Sequence, residues 1–187
     1  MGLFGAFRRH SEDATADSLY RAIVRQARQP AFYVAYGVED TPDGRWDLIA
    51  AHAALVLRRL RREPAQTRDV AQALFDLMFA DMDQNLREMG VGDLAVGKRI
   101  KAMAKAFYGR LAAYDQALTE HDGEALRAAL RRNLYRKMDP TESQVAMIES
   151  YLRREAERLD AEPVAALLSG RLSFGAPPAK QADGGQG

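Results

Sequence analysis

At 187 residues, 47% of them hydrophobic, the chain is long enough for one domain with its own core and too apolar to be disordered. A formal net charge of +1 supplies no global field that would demand nucleic acid or an anionic membrane as partner. Cysteine is absent, which excludes disulfides, thiolate catalysis and Cys-ligated zinc and fits a reducing compartment.

No run approaches the roughly 20 apolar residues of a membrane span. The opening residues reach Arg8 and Arg9 too early for a secretory signal. Ala6 stands where a myristoylation motif wants Ser or Thr. Leu3, Phe4 and Phe7 beside those arginines suit a membrane surface, but residues 1–13 read more simply as a flexible segment. Of the 27 basic residues 22 are Arg, a bias that suits carboxylate and phosphate contacts and equally a GC-rich genome.

The first helix is expected from Thr15 to Arg28, carried by Leu19, Tyr20, Ile23, Val24 and Ala27 and ended by Pro30. Ala31 to Val38 is a short helix or an extended piece, and Glu39 to Arg45 is a turn. Trp46 to Arg62 reads as a central helix with the stripe Trp46, Ile49, Ala53, Leu57 and Leu60, and its arginines close to the C-terminal dipole. Pro64 starts the next helix, which runs to Met89. Gly90 fits a left-handed C-cap and Asp93 an N-cap, so a second long helix folds back on the first and extends to Leu118. A shorter helix follows over Glu124–Lys137. Thr141 and Gln144 have capping-box spacing and open a helix to Leu159, and Pro163 starts a last turn or two ending near Gly170. Residues 171–187 are rich in Gly, Pro, Ala and Gln and are expected to be disordered. The fold class is all-α: a single-domain bundle of about six to seven helices over residues 14–170, with a long antiparallel pair.

On the helix after Asp93, Val96, Ile100, Met103, Phe107, Leu111, Tyr114 and Leu118 form the core face. Lys98, Lys101 and Lys105 make a basic ridge continued by Tyr108. Ala102, Ala106, Gly109 and Ala113 form a small-residue stripe. Mid-helix glycine costs about 1 kcal/mol against alanine, so Gly97 and Gly109 suggest close approach, more simply by a helix of the same domain than by a partner. Charge is segregated: residues 69–93 carry six acids (Asp69, Asp76, Asp81, Asp83, Glu88, Asp93) against Arg87, while residues 98–137 carry ten bases against four acids. For any single charge a solvated, mutually paired surface is the simpler reading, but segregation in blocks points to a surface that orients a partner.

No catalytic or metal-binding constellation is visible. No histidine follows a glutamate by three, as a carboxylate-bridged metal bundle requires. His52, between Leu48 and Leu55, reads as structural. Gly90-x-Gly92 is a helix–helix turn, not a phosphate loop. Met78, Met82, Met89 and Met103 offer pliable contact if they face outward, although core packing is the simpler reading.

Pro30-Ala-Phe-Tyr33, Gly37-Val38, Asp40-Thr41, Asp43-Gly-Arg45, Leu55–Leu60 and above all Leu74–Tyr114 resemble the ubiquinol–cytochrome c chaperone family. The resemblance covers roughly residues 18 to 155. Glu39 stands where the family turn has proline and Trp46 where it has phenylalanine. The resemblance implies a helical, non-enzymatic assembly factor without a cofactor or catalytic residue. It implies binding of newly made cytochrome b on its way into complex III, a possible place by the ribosome, peripheral contact with the inner-membrane surface, and no DNA. Without a visible presequence, a bacterial cytoplasmic setting is expected. The partner-contacting residues it implies are Asp81, Asp83, Arg87, Lys98, Lys101, Tyr108 and Arg110. Two other readings stay open: an RNA- or ribosome-binding module built on Arg58, Arg59, Arg61 and Arg62, and an all-α enzyme with a small-molecule pocket.

Overall fold

The computed structural model describes the backbone of residues 3–177 and the side chains of residues 10–177. Within them the chain forms α1 (Leu3–Ala27), α2 (Pro30–Val34), α3 (Pro42–Leu60), α4 (Pro64–Glu88), α5 (Asp93–Thr119), α6 (Gly123–Leu130), a π-helical turn (Arg131–Tyr135), α7 (Glu142–Ala161) and α8 (Val164–Leu168). The described residues contain no strand.

The hub is α3. Every residue from Trp46 to Leu60 is buried, because α1, α4, α5, the π turn and α7 pack around it. Its start is set locally. Thr41 caps it by accepting from the Gly44 N–H at 3.2 Å, and Pro42 takes the first turn. Gly44 is obligatory, since a Cβ there would stand 2.0 Å from the Glu39 carbonyl oxygen. The helix therefore begins earlier than the expected Trp46. The ambiguous run after Pro30 is α2, which buries Phe32 and leads Tyr36 into the core.

The antiparallel pair α4–α5 lies against this hub. Gly90 adopts φ +81°, the left-handed conformation expected of it. Asp93 does not cap α5. The N-cap is Gly92 and makes no side-chain cap bond, while Asp93 is the first helical residue and pairs with Arg87 across the turn. In α5 Val96, Phe107, Leu111, Tyr114 and Leu118 are buried, and Ile100 and Met103 pack on the edge of the core. The α7 capping box is present on both sides: Thr141 accepts from Gln144, and the Gln144 side chain accepts from the Thr141 N–H.

Both ends of the domain differ from expectation. Helix α1 starts at Leu3 rather than Thr15 and packs chiefly along α4. No proline interrupts residues 3–14, and α4 supplies a neighbour that sequence reading did not pair with it. At the other end, residues 171–177 are not loose. They cross the body as an irregular strap, with Leu172 and Phe174 packed against the core. Residues 178–187 lie outside the described residues.

Candidate functional face on the α4–α5 hairpin

The residues expected to contact a partner divide into two groups. Arg110 is not on the surface. It is 8% exposed and donates to Asp47 Oδ1 at 2.6 Å, tying α5 to α3. Asp47 is 3% exposed and has Arg136 at 3.5 Å as its second cation. Burial pushes the Asp47 carboxyl up to about 6, even though Arg110 and Arg136 pull it down. Asp81, half-buried, accepts the Tyr20 hydroxyl at 2.7 Å and anchors α1 to α4. Arg87 bridges Asp83 and Asp93 and clamps the hairpin turn. Arg110 and Asp81 are thus tied into the fold, while Arg87 and Asp83 pair with each other on the surface of the hairpin.

Lys98, Lys101 and Tyr108 do lie outside. Both lysines are exposed, and neither forms an ion pair with a described residue. Tyr108 is 55% exposed although it is a large ring. It stacks on Phe75 of α4 with centroids 5.2 Å apart, and Phe75 in turn meets Phe79 and Phe107. Beside this aromatic ladder runs an open groove of about 260 Å3 lined by Leu57, Ala71, Phe75, Tyr108 and Leu111, with Arg61 and Arg68 also on its wall. Half-exposed aromatics over an apolar groove with cations at the edge make a surface suited to binding protein.

The small-residue stripe is exposed too. Ala102, Ala106 and Gly109 face outward, Ala113 is partly covered, and nothing lies within 4 Å of a Cβ built at Gly97 or Gly109. The expected second helix of the same domain is not there. One face of α5 thus presents lysines, Tyr108 and small side chains together. The methionines contribute little to it: Met78 is fully buried, Met82 and Met103 pack on the core, and Met89 stands 54% exposed at the hairpin turn. The acids gather elsewhere. Glu12, Asp13 and Asp17 of α1 line a separate cleft with Asp69 and Asp76 of α4. The block segregation seen in sequence is thus partly kept in space: Asp69 and Asp76 face the α1–α4 cleft and Lys98, Lys101 and Lys105 stand on the outer face of α5, while Asp83 and Asp93 pair with Arg87 at the hairpin turn.

The arginine cluster on α3 is already occupied. Arg58 pairs with Asp115 and Asp160, Arg61 with Asp115 and Arg62 with Asp160. Arg59 donates to the carbonyls of Leu159 and Glu162, closing the C-terminus of α7. Arg58 and Arg59 are buried in these contacts, whereas Arg61 and Arg62 make theirs with side chains about half exposed. His52 is fully buried, its Nδ1–H donating to the Leu48 carbonyl at 2.8 Å and its Nε2 accepting the Tyr151 hydroxyl at 2.9 Å. Burial pushes its pKa down to about 4, so it is a neutral core group. Among the described residues no group of three or more His, Asp or Glu side chains is placed to hold a metal ion, and no helix is long and apolar enough to cross a membrane.

Sequence reading missed the groove because Leu57, Ala71 and Leu111 look like ordinary core positions. The available signal was aromatic: Phe75 and Phe79 one turn apart on α4, and Phe107 with Tyr108 on α5, more rings than one interhelical seam needs.

Comparison with known proteins agrees with this architecture. The profile of the family described as Ubiquinol-cytochrome C chaperone matches residues 34–174. Ubiquinol-cytochrome-c reductase complex assembly factor 1 of Xenopus laevis is 22% identical over 142 residues, 76% of this chain and 70% of that protein. Its human counterpart is 23% identical over 157 residues, 83% of this chain and 52% of that protein, so the chain spans about half the human relative. The crystal structure of the Cbp3 homolog from Brucella abortus superposes with a TM-score of 0.82 at 35% identity, covering 94% of this chain and 97% of that one. A helical domain of this shape, matched by the family profile over most of its length, belongs to the ubiquinol–cytochrome c chaperone family of complex III assembly factors.

Proposed function

We propose that the protein binds newly made cytochrome b and keeps it competent for assembly into complex III, using the α4–α5 face. The observation that carries this reading is the half-exposed Tyr108 stacked on Phe75 over an open apolar groove, within the stretch matched by the family profile. The client is a membrane protein, whose helices are apolar and tolerate close packing against small residues. An apolar groove beside an exposed small-residue stripe suits such a segment, and Lys98 and Lys101 suit either its polar flank or anionic headgroups at the inner-membrane surface. The curated relatives from Xenopus laevis and human carry ubiquinol–cytochrome c reductase complex assembly in their names. The setting that follows is the cytoplasmic side of a bacterial inner membrane, near the ribosome that makes the client.

The test is complementation of a deletion strain. The Lys98→Glu/Lys101→Glu variant should fold normally, because both side chains are exposed and free of ion pairs with described residues. It should fail to restore cytochrome b and ubiquinol–cytochrome c reductase activity. Full restoration by a normally folded variant would mean that this face does not hold the client.

A further inference from the structure

The strap at residues 171–177 holds a second arrangement, independent of the α4–α5 face. After α8 and a left-handed turn at Gly170 (φ +75°), it runs without regular structure over α1 and α7. Among the described residues, none of its backbone groups from 172 onward bonds another backbone group. Helix side chains grip its main chain instead. Gln26 Nε2 donates to the Gly175 carbonyl at 2.8 Å, and the Gly175 N–H donates to Glu155 Oε2 at 2.8 Å. Arg158 Nη1 donates to the Ser173 carbonyl at 2.7 Å and Arg154 Nη2 to the Ala176 carbonyl at 3.1 Å.

Side chains of the strap are read at few points, and at the exposed position 173 the Ser173 Oγ accepts from Arg158 Nη2 at 3.0 Å. Phe174 packs edge-on against His52 with centroids 5.1 Å apart, and Leu172 rests on the margin of the core. Position 175 must be glycine for a steric reason: a Cβ would stand 2.6 Å from Glu155 Oε1. Glu155 is fully buried and held by Arg154, Arg158 and the Gly175 N–H, so its carboxylate cannot swing aside without giving up those bonds. Gln26 connects the strap to the core by donating to the Tyr151 hydroxyl at 2.9 Å, which in turn donates to His52.

Main-chain hydrogen bonds that supply affinity, with one aromatic socket and one glycine-only position that supply selectivity, are the means by which a protein binds an extended peptide. Among the described residues no backbone–backbone bond joins residues 172–177 to the helices beneath, so the strap can lift without breaking one. We propose that the α1–α7 cleft is a peptide-binding groove for an extended Leu-x-Phe-Gly segment. Its occupant in the intact chain is Leu172–Gly175, and an extended segment of the same pattern can take that place.

The experiment uses the full chain carrying Gly175→Val, with a labelled peptide of the sequence GRLSFGAP, residues 170–177, as probe. Hydrogen exchange at residues 172–176 reports whether the strap has lifted, and exchange in α1, α3 and α7 reports on the fold. The variant should expose residues 172–176, retain helix protection, and bind the peptide about tenfold or more tightly than the unaltered chain, whose groove is occupied. Tenfold corresponds to freeing one charge-assisted hydrogen bond. The same peptide with Val for Gly should not bind. A lifted strap on an intact fold with no peptide binding would overturn the proposal. So would a strap that stays in place with valine. Should Gly175→Val unfold the chain, Phe174→Ser is the second variant, and helix protection lost in both would show that the strap belongs to the folding core.

Discussion

Replacing Arg110 with methionine tests the assignment of this residue to the fold rather than to a partner. The substitution preserves much of the aliphatic volume but leaves Asp47, 2% exposed in its side chain, with Arg136 at 3.5 Å as its remaining cation. Breaking a buried pair by removing one partner costs about 3–5 kcal/mol, because the surviving charge stays desolvated. Asp47 already titrates at about 6 because it is buried, and loss of Arg110 removes the stronger of the influences that hold it down. Its folded pKa therefore moves further above the unfolded value, and the variant binds more protons folded than unfolded over a wider range. The stability loss should be largest at pH 7–8 and shrink as the pH is lowered toward 5. Urea denaturation across that range measures it directly. Arg110→Met/Asp47→Asn should recover a substantial part of the loss at neutral pH, since no buried charge is then stranded. A loss below about 1 kcal/mol that does not change with pH would refute the reasoning and return Arg110 to the list of surface contacts.

Two more predictions concern pH and local capping. Burial holds His52 at about 4, below its unfolded value of 6.5, so this group withdraws stability as pH falls from 6.5 to about 4. Asp47, raised from 3.8 to about 6, adds stability as pH falls over nearly the same window. Their contributions largely cancel in the intact chain. Asp47→Asn should lose stability on acidification from pH 6 to 4, and His52→Gln should gain it, as read from urea midpoints; slopes of the same sign would contradict the assignment. Thr141→Ala removes one half of the α7 capping box and should cost about 1 kcal/mol, with raised hydrogen exchange confined to the first turn of α7.

Local signals were legible wherever the relevant partner lies within a few residues. Pro64, Gly90 and the Thr141–Gln144 pair occupy the roles their types and spacing predict. Helical periodicity also identified the buried face of α5, because packing follows the 3.6-residue repeat regardless of which neighbour supplies it. Non-local pairing was not legible. Arg110 is a polar residue at the edge of an apolar stripe and looks like a surface contact until Asp47, on another helix, is brought to it. Asp93 has the composition of a cap, but Arg87 one helix earlier holds it in an ion pair. Residues 171–177 look disordered because their order comes from Gln26, Arg154, Glu155 and Arg158 rather than from their own composition. The small-residue stripe points in sequence toward an internal helix, and its exposure follows only from where the other helices go.

The most direct test places a photo-crosslinking amino acid at Tyr108 in cells making complex III, with a control at Val34 on α2, which is also highly exposed. Capture of newly made cytochrome b from position 108 and not from position 34 is the predicted result. Equal capture at both positions, or none at 108 while the protein still supports complex III, would contradict the assignment of the α4–α5 face as the client surface.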